Sequence, residues 1–247
     1  MILFKLVKQD LKNLVTTPVV CTACIIYPWI LVGLFGFMFS SLYGNSGVSS
    51  YDYYGVTMIM YLILASLTIT PNAFMEKRLR AGNIRIAYSP ISKMTVYMSK
   101  IISSYIFLLV TFSINIAIMN FSGLVNFGGK NFIYVLILIW ASLAFVVTLG
   151  GAVCVILKSE EFTDMILSNV ANILALVSGI FFPVDSLGST ISSLTDLSPV
   201  KWVLNLIFNI IYDGNFSHYI SVIFGLIIIS IISLVIMHIN YKPEDYI

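Results

Sequence analysis

The side chains able to do chemistry are few and poorly placed for it. His218 and His238 are the only histidines among 247 residues, and they stand at opposite ends of one apolar run. Neither an HExxH helix nor a His-based triad can be assembled from them. The three cysteines, Cys21, Cys24 and Cys154, all lie inside apolar stretches. The Cys21-Thr22-Ala23-Cys24 pair lacks the soluble context that a redox or zinc site needs, and an odd count gives no disulfide framework. Buried cysteine mostly behaves as a small hydrophobe. The tract from Gly123 to Asn131 has a superficial P-loop look, but its glycine spacing is off by one and Asn131 stands where Ser or Thr would be needed. No catalytic residue, metal ligand or nucleotide-binding loop is expected on this chain.

The elements that must position any remaining function are hydrophobic. The chain is 59% apolar and 10% charged, with a mean hydropathy of +1.00, whereas soluble domains carry about 25% charged residues. A net charge of +2 is too balanced to suggest nucleic acid. Six stretches are long enough to cross a bilayer as helices, which takes about 20 apolar residues: 19–42, 54–74, 101–121, 132–157, 165–182 and 219–240. None contains Asp, Glu, Lys or Arg, each of which would cost about 2.5–3.5 kcal/mol at mid-membrane. The first is too long for the core of a signal peptide and lacks a cleavage site after it. The expectation is an all-α membrane protein forming a single transmembrane domain over 1–247, with six transmembrane helices. Of the 13 basic residues, only Lys130 and Lys201 fall on one side of that layout. The positive-inside rule therefore predicts that both termini are cytoplasmic.

The uncharged spans also lack the carboxylate or histidine relay of proton-driven carriers. Sodium could still be held by carbonyls and hydroxyls, so secondary transport is weakened and not excluded. Energy for uphill movement would more naturally enter through a cytoplasmic partner.

Four segments outside the spans carry the remaining information. Residues 1–18 place Leu3, Val7, Leu11 and Leu14 on one helical face and Lys5, Lys8 and Lys12 opposite. That describes an interfacial helix, with Asp10 as a blemish on its apolar side and Pro18 as its stop; the alternative is a basic flank that only sets topology. The cytoplasmic segment 75–100 holds Glu76, Arg78, Arg80, Gly82, Arg85, Tyr88 and Pro90. Here the helix of span two should run on to about Ala81 and break at Gly82, with Pro90 starting a new turn. The result is a basic socket suited to a partner, or else a charge cluster that enforces topology. The link from Lys158 to Asp164 offers Glu160 and Glu161 as a second cytoplasmic contact or as a solvated turn. Between Pro183 and His218, two stripes too short to span suggest a re-entrant outer hairpin, with Pro183 and Pro199 at the starts and Trp202 as an interfacial anchor. A surface lid is the alternative. In span five, Ala171, Ala175 and Gly179 form a small-xxx-small face. Asn169 and Asn172 lie near it, either as interhelical glue or as lining for a path.

The arrangement resembles the permease subunit of type-2 ABC exporters over essentially the whole chain. The N-terminal helix looks like the family's elbow helix. Glu76, Gly82, Pro90 and Lys100 resemble its stretch after span two, which contains the coupling helix. Ser178-Gly179-Ile180-Phe181-Phe182-Pro183, followed by Leu187 and Ser198-Pro199-Val200-Lys201-Trp202, resembles the end of span five and the re-entrant hairpin. The resemblance implies two permease copies, identical or related, joined through spans one and five and assembled with two copies of a separate cytoplasmic ATP-binding subunit. No cofactor is then expected on this chain, and ATP and Mg belong to the partner.

Substrate is less determined. Tyr27 and Trp29 give material for an aromatic, polysaccharide-type path. The uncharged interior better suits an exported drug, lipid-like molecule or amphipathic peptide such as a bacteriocin or toxin. Abundant Ile and Lys with three Arg hint at an AT-rich bacterial genome, hence a bacterial cytoplasmic membrane. Two other classes stay open: an ion-coupled carrier or channel, which would work without an ATPase, and a non-transporting scaffold or immunity protein.

Overall fold

In a computed structural model, the described residues are 2–42, 48–76, 79–181 and 198–242. Among them the chain is helical, with no strand: α1 Ile2–Val15, α2 Pro18–Met38, α3 Ser50–Met75, α4 Arg80–Ala87, α5 Lys93–Phe121, α6 Phe132–Leu157, α7 Glu160–Val177, α8 Pro199–Phe208 and α9 Tyr219–Asn240. Five helical stretches are long and apolar enough to cross a membrane: α2, α3, α5, α6 with the turn before it, and α9.

The sixth expected span is where sequence and structure differ. α7 has 18 residues, with Glu160 and Glu161 in its first turn and Asp164 one turn on, so it is too charged to count by length and composition. It also ends earlier than the predicted 165–182, because Gly179 adopts φ +75°. Glycine takes that left-handed conformation without a Cβ penalty, and the Ile180 amide then bonds back to the Ala175 carbonyl.

Local chemistry sets most of the other boundaries. The Thr16 and Thr17 hydroxyls take the last carbonyls of α1. Pro18 holds Thr17 extended and opens α2 as its first residue. Inside α2, Pro28 has no amide to offer the Cys24 carbonyl, and the turn Thr22–Ile26 widens to a π-helix. Asn115 of α5 supplies the missing donor at 3.0 Å and accepts the Trp29 indole N–H at 2.7 Å. α3 opens with a capping box between Ser49 and Asp52 and tightens at Ser66–Thr68, just before Pro71. Gly150 of α6 packs on the Leu67 carbonyl there, and a Cβ would run into that oxygen; Gly151 presses in the same way on Met237 and Ile101.

Side-chain bonds between elements define two ends of the bundle. At one end Asp52 accepts from the Asn126 amide, Tyr53 and Tyr54 donate to the carbonyls of Gly179 and Phe181, and Asn131 donates to the Ile210 carbonyl. At the other end α1, α4, the close of α3, the start of α5 and the close of α9 converge. The outward faces of α2 and α9 carry exposed Val19, Ile30, Phe37, Phe224, Ile228 and Ile231, an apolar exterior suited to lipid.

Candidate coupling site

The site grows from the end of α3. The last carbonyls of a helix have no intrahelical donor, and here two of them are taken by side chains from elsewhere. Lys100 Nζ donates to the Ala73 carbonyl at 2.7 Å, and Asn83 Nδ2 donates to the Phe74 carbonyl at 2.8 Å. The two side chains also meet each other, Lys100 Nζ donating to Asn83 Oδ1 at 3.1 Å. This corrects the expected helix boundary. α3 stops at Met75, with Glu76 extended at ψ 125°, and Gly82 lies within the new helix α4 instead of breaking the old one. Space around Gly82 is open.

Asp10 is the second correction. It is no blemish on α1: it is only 9% exposed, accepts a 2.8 Å bond from the Ser99 hydroxyl and stands 3.9 Å from Lys100 Nζ. Lys100 is 3% exposed and lies 5.6 Å from the centre of the Phe74 ring. Tyr241 packs edge-on to both Phe74 and Tyr97, while Tyr97 also meets His238 Nδ1 at 3.1 Å. Burial pushes the Tyr241 phenol well above its ordinary range, so it stays neutral. One buried cation of α5 thus joins α1, α3 and the short helix α4. A buried ammonium needs hydrogen-bond acceptors and countercharge; here two carbonyl-type oxygens accept from it and the Asp10 carboxylate lies 3.9 Å away.

The other sequence-predicted residues fall into place around this centre. Glu76 is half-buried beside a gap of about 10 Å³ shared with Asp10, Asn13 and Thr17. Arg80 opens α4, Arg85 is exposed in its last turn, and Tyr88 is 79% exposed just past its end. Pro90 is exposed in the turn that leads to Ser92, the cap of α5. Arg78 lies outside the described residues. Glu160 and Glu161 sit in the first turn of α7, whose cap is Ser159.

The small residues of α7 are used within the chain. Ala171 and Ala175 are buried on the side of α7 that packs on α3, and Tyr61 of α3 bonds Asn172 Oδ1 at 3.2 Å. Asn169 and Asn172 lie with Ile173 and Leu176 on the exposed face. Tyr27 is half exposed on α2, whereas the Trp29 indole is turned to Asn115. The structure therefore does not gather Trp29 and Asn172 into one lining. At the opposite end Pro199 begins α8, and Trp202 is half exposed one turn later; Pro183 lies outside the described residues.

Sequence reading missed Asn83, Asn115, Ser99 and the role of Asp10. The lone Asp on an apolar helical face was the available signal, since such a carboxylate needs a buried partner. The tandem Gly150-Gly151 in an otherwise bulky span was another.

An all-helical, multi-pass membrane protein with a buried polar knot at one end is the class these features define. A family model described as ABC-2 type transporter matches residues 3–212. The chain belongs to that family, and its kind of member is the membrane permease component, not itself catalytic. Permeases of this family usually pair with an ATP-binding subunit. No curated protein matches the chain.

Proposed function

We propose that this chain is the membrane-spanning half of an ATP-driven exporter in a bacterial cytoplasmic membrane, working as a dimer with two separate ATP-binding subunits. Its cargo is hydrophobic or amphipathic: a peptide, a drug or a lipid-like molecule. The observation that carries the reading is the Lys100 knot. α4 reaches the bundle through Asn83, and Lys100 ties that contact to spans two and three and to α1. A push on the basic, exposed side of α4 would therefore move rigid elements and not a loose loop. Glu160 and Glu161, at the start of α7, offer a second contact at the same end.

Six crossings fit this function, with α7 as the fifth. A two-residue link separates it from α6, and the chain just past its close is held by Tyr53 and Tyr54 at the other end of the bundle. Its 18 residues rise about 27 Å, close to the ~30 Å hydrocarbon core. Pro199 lies at the level of Met60, Ile63, Leu64 and Leu226, well inside the bundle, which supports α8 as the returning arm of a re-entrant hairpin. Both termini then lie on the cytoplasmic side, with Lys5, Lys8 and Lys12 toward lipid headgroups. The exposed Asn169–Leu176 face of α7 is available to a second permease copy.

The test is ATPase activity of a candidate ATP-binding subunit, alone and after co-reconstitution with this chain. Stable co-purification and a rate that responds to candidate cargo support the reading. Asn83→Ala should leave insertion and complex formation intact while abolishing that response; a full response in Asn83→Ala would count against coupling through α4.

A further inference from the structure

One well-formed cavity lies away from the coupling end. It is a groove of about 450 Å³ between α8 and α9, within the ~300–1,000 Å³ range of small-molecule sites. Its two ends differ in chemistry. Near the start of α9 it is bordered by Asn205, Asn209, Ser217, His218 and Ser221, which offer amides, hydroxyls and an imidazole. Deeper down it is bordered by Trp202, Leu206, Val222, Leu226 and Ile229. Among the described residues no Asp, Glu, Lys or Arg lines it. Gly225 lies along its wall, and a Cβ built there meets nothing within 4 Å. The groove is therefore open space and not a loosely packed seam.

We propose that this groove holds one acyl chain of a membrane lipid, with a neutral or zwitterionic headgroup seated at the Asn209–His218 end. Depth supports that occupant. From His218 to Ile229 the helix descends about 16 Å, close to half of the ~30 Å hydrocarbon core, which is the reach of one leaflet. Continuity supports it as well, because the same helix presents Ile220, Phe224, Ile228 and Ile231 outward as an apolar surface for lipid. The rim favours a headgroup without net charge: among the described residues it offers amides, hydroxyls and one imidazole, and no Lys or Arg to pair with an anionic headgroup. A lipid held there would brace α8 against α9. The assignment rests on membrane insertion and stands apart from the ATP-driven reading, so either can fail alone.

The test is photolabelling of the full chain in nanodiscs, using phosphatidylcholine with a diazirine in one acyl chain and mapping the labelled peptides. Labelling is expected at Leu226 and Ile229 on the groove side, in addition to the outer face of α9. Gly225→Phe, whose Cβ would meet nothing within 4 Å, should occupy the groove and lower labelling at those two positions about tenfold, with labelling at Ile228 and Ile231 unchanged. Ser221→Leu serves as a second, smaller filler if the first variant inserts poorly. Unlabelled phosphatidylcholine should compete better than phosphatidylglycerol. Groove labelling that survives both fillers, labelling confined to the outer face, or stronger competition by the anionic lipid would each overturn the assignment.

Discussion

The two ends of the bundle are built from different chemistry. One end is organised around a buried ion, with Lys100 and Asp10 tied through Ser99, Asn83 and the carbonyls that close α3. The other is closed by neutral bonds: Tyr53 and Tyr54 to the carbonyls after α7, Ser178 to Ser198 at 2.7 Å, and Asn131 to Ile210. This end carries charge as well: Asp52 caps a helix while holding the Asn126 amide, and Lys201 is buried in α8. A neutral hydrogen bond is worth about 0.5–1.5 kcal/mol net and is readily exchanged for another. A buried ion cannot be left half-satisfied. Losing one partner of Lys100 should therefore cost more than losing one of the tyrosine bonds at the other end.

That contrast is easiest to break at Lys100. Lys100→Met leaves Asp10 buried opposite an uncharged side chain and strips the Ala73 carbonyl of its donor, a loss of about 3–5 kcal/mol. Cys24 and Cys154 are buried while Cys21 is partly exposed, so in a Cys21→Ser background a thiol-reactive fluorophore reports melting. Adding Asp10→Asn to Lys100→Met should recover part of the loss. Equal melting of the two variants would mean that the pair contributes no coupling.

The middle of the bundle should respond next. Gly150→Ala forces a methyl into the Leu67 carbonyl and should cost about 1–3 kcal/mol by overpacking. Asn115→Leu removes both the Trp29 bond and the donor that replaces Pro28's missing amide, and a buried carbonyl left bare costs about 1–3 kcal/mol. Both variants should melt below wild type in the same fluorophore assay, and a wild-type melt for either would remove the middle from this ranking.

What was legible in the sequence follows the same division. The spans 132–157 and 219–240 coincide with α6 and α9, because long uncharged runs are dictated by the bilayer and leave little to context. The break at Gly82 was misplaced because α3 ends for a reason local sequence does not carry: its last carbonyls are claimed by Asn83 and Lys100 from other elements. Asp10 read as an irregularity for the same reason, its partners Ser99 and Lys100 being far along the chain. The small-residue spacing of Ala171, Ala175 and Gly179 revealed a close-packing face, but spacing alone could not say that Ala171 and Ala175 would be used against α3 within one chain.

At the end closed by neutral bonds, Tyr54→Phe deletes the 3.3 Å bond to the Phe181 carbonyl while keeping the ring against Phe35 and Phe39. The expected loss is about 0.5–1.5 kcal/mol, well below that of Lys100→Met. A melt as severe as the lysine variant's would erase the distinction between the ends.

The smallest effect belongs to Asp164, in the turn of α7 that precedes its apolar stretch. Its Oδ1 is a buried atom without a hydrogen-bond partner, so Asp164→Asn should change the melt by no more than about 0.5 kcal/mol; a loss as large as that of Tyr54→Phe would give this carboxyl a structural partner.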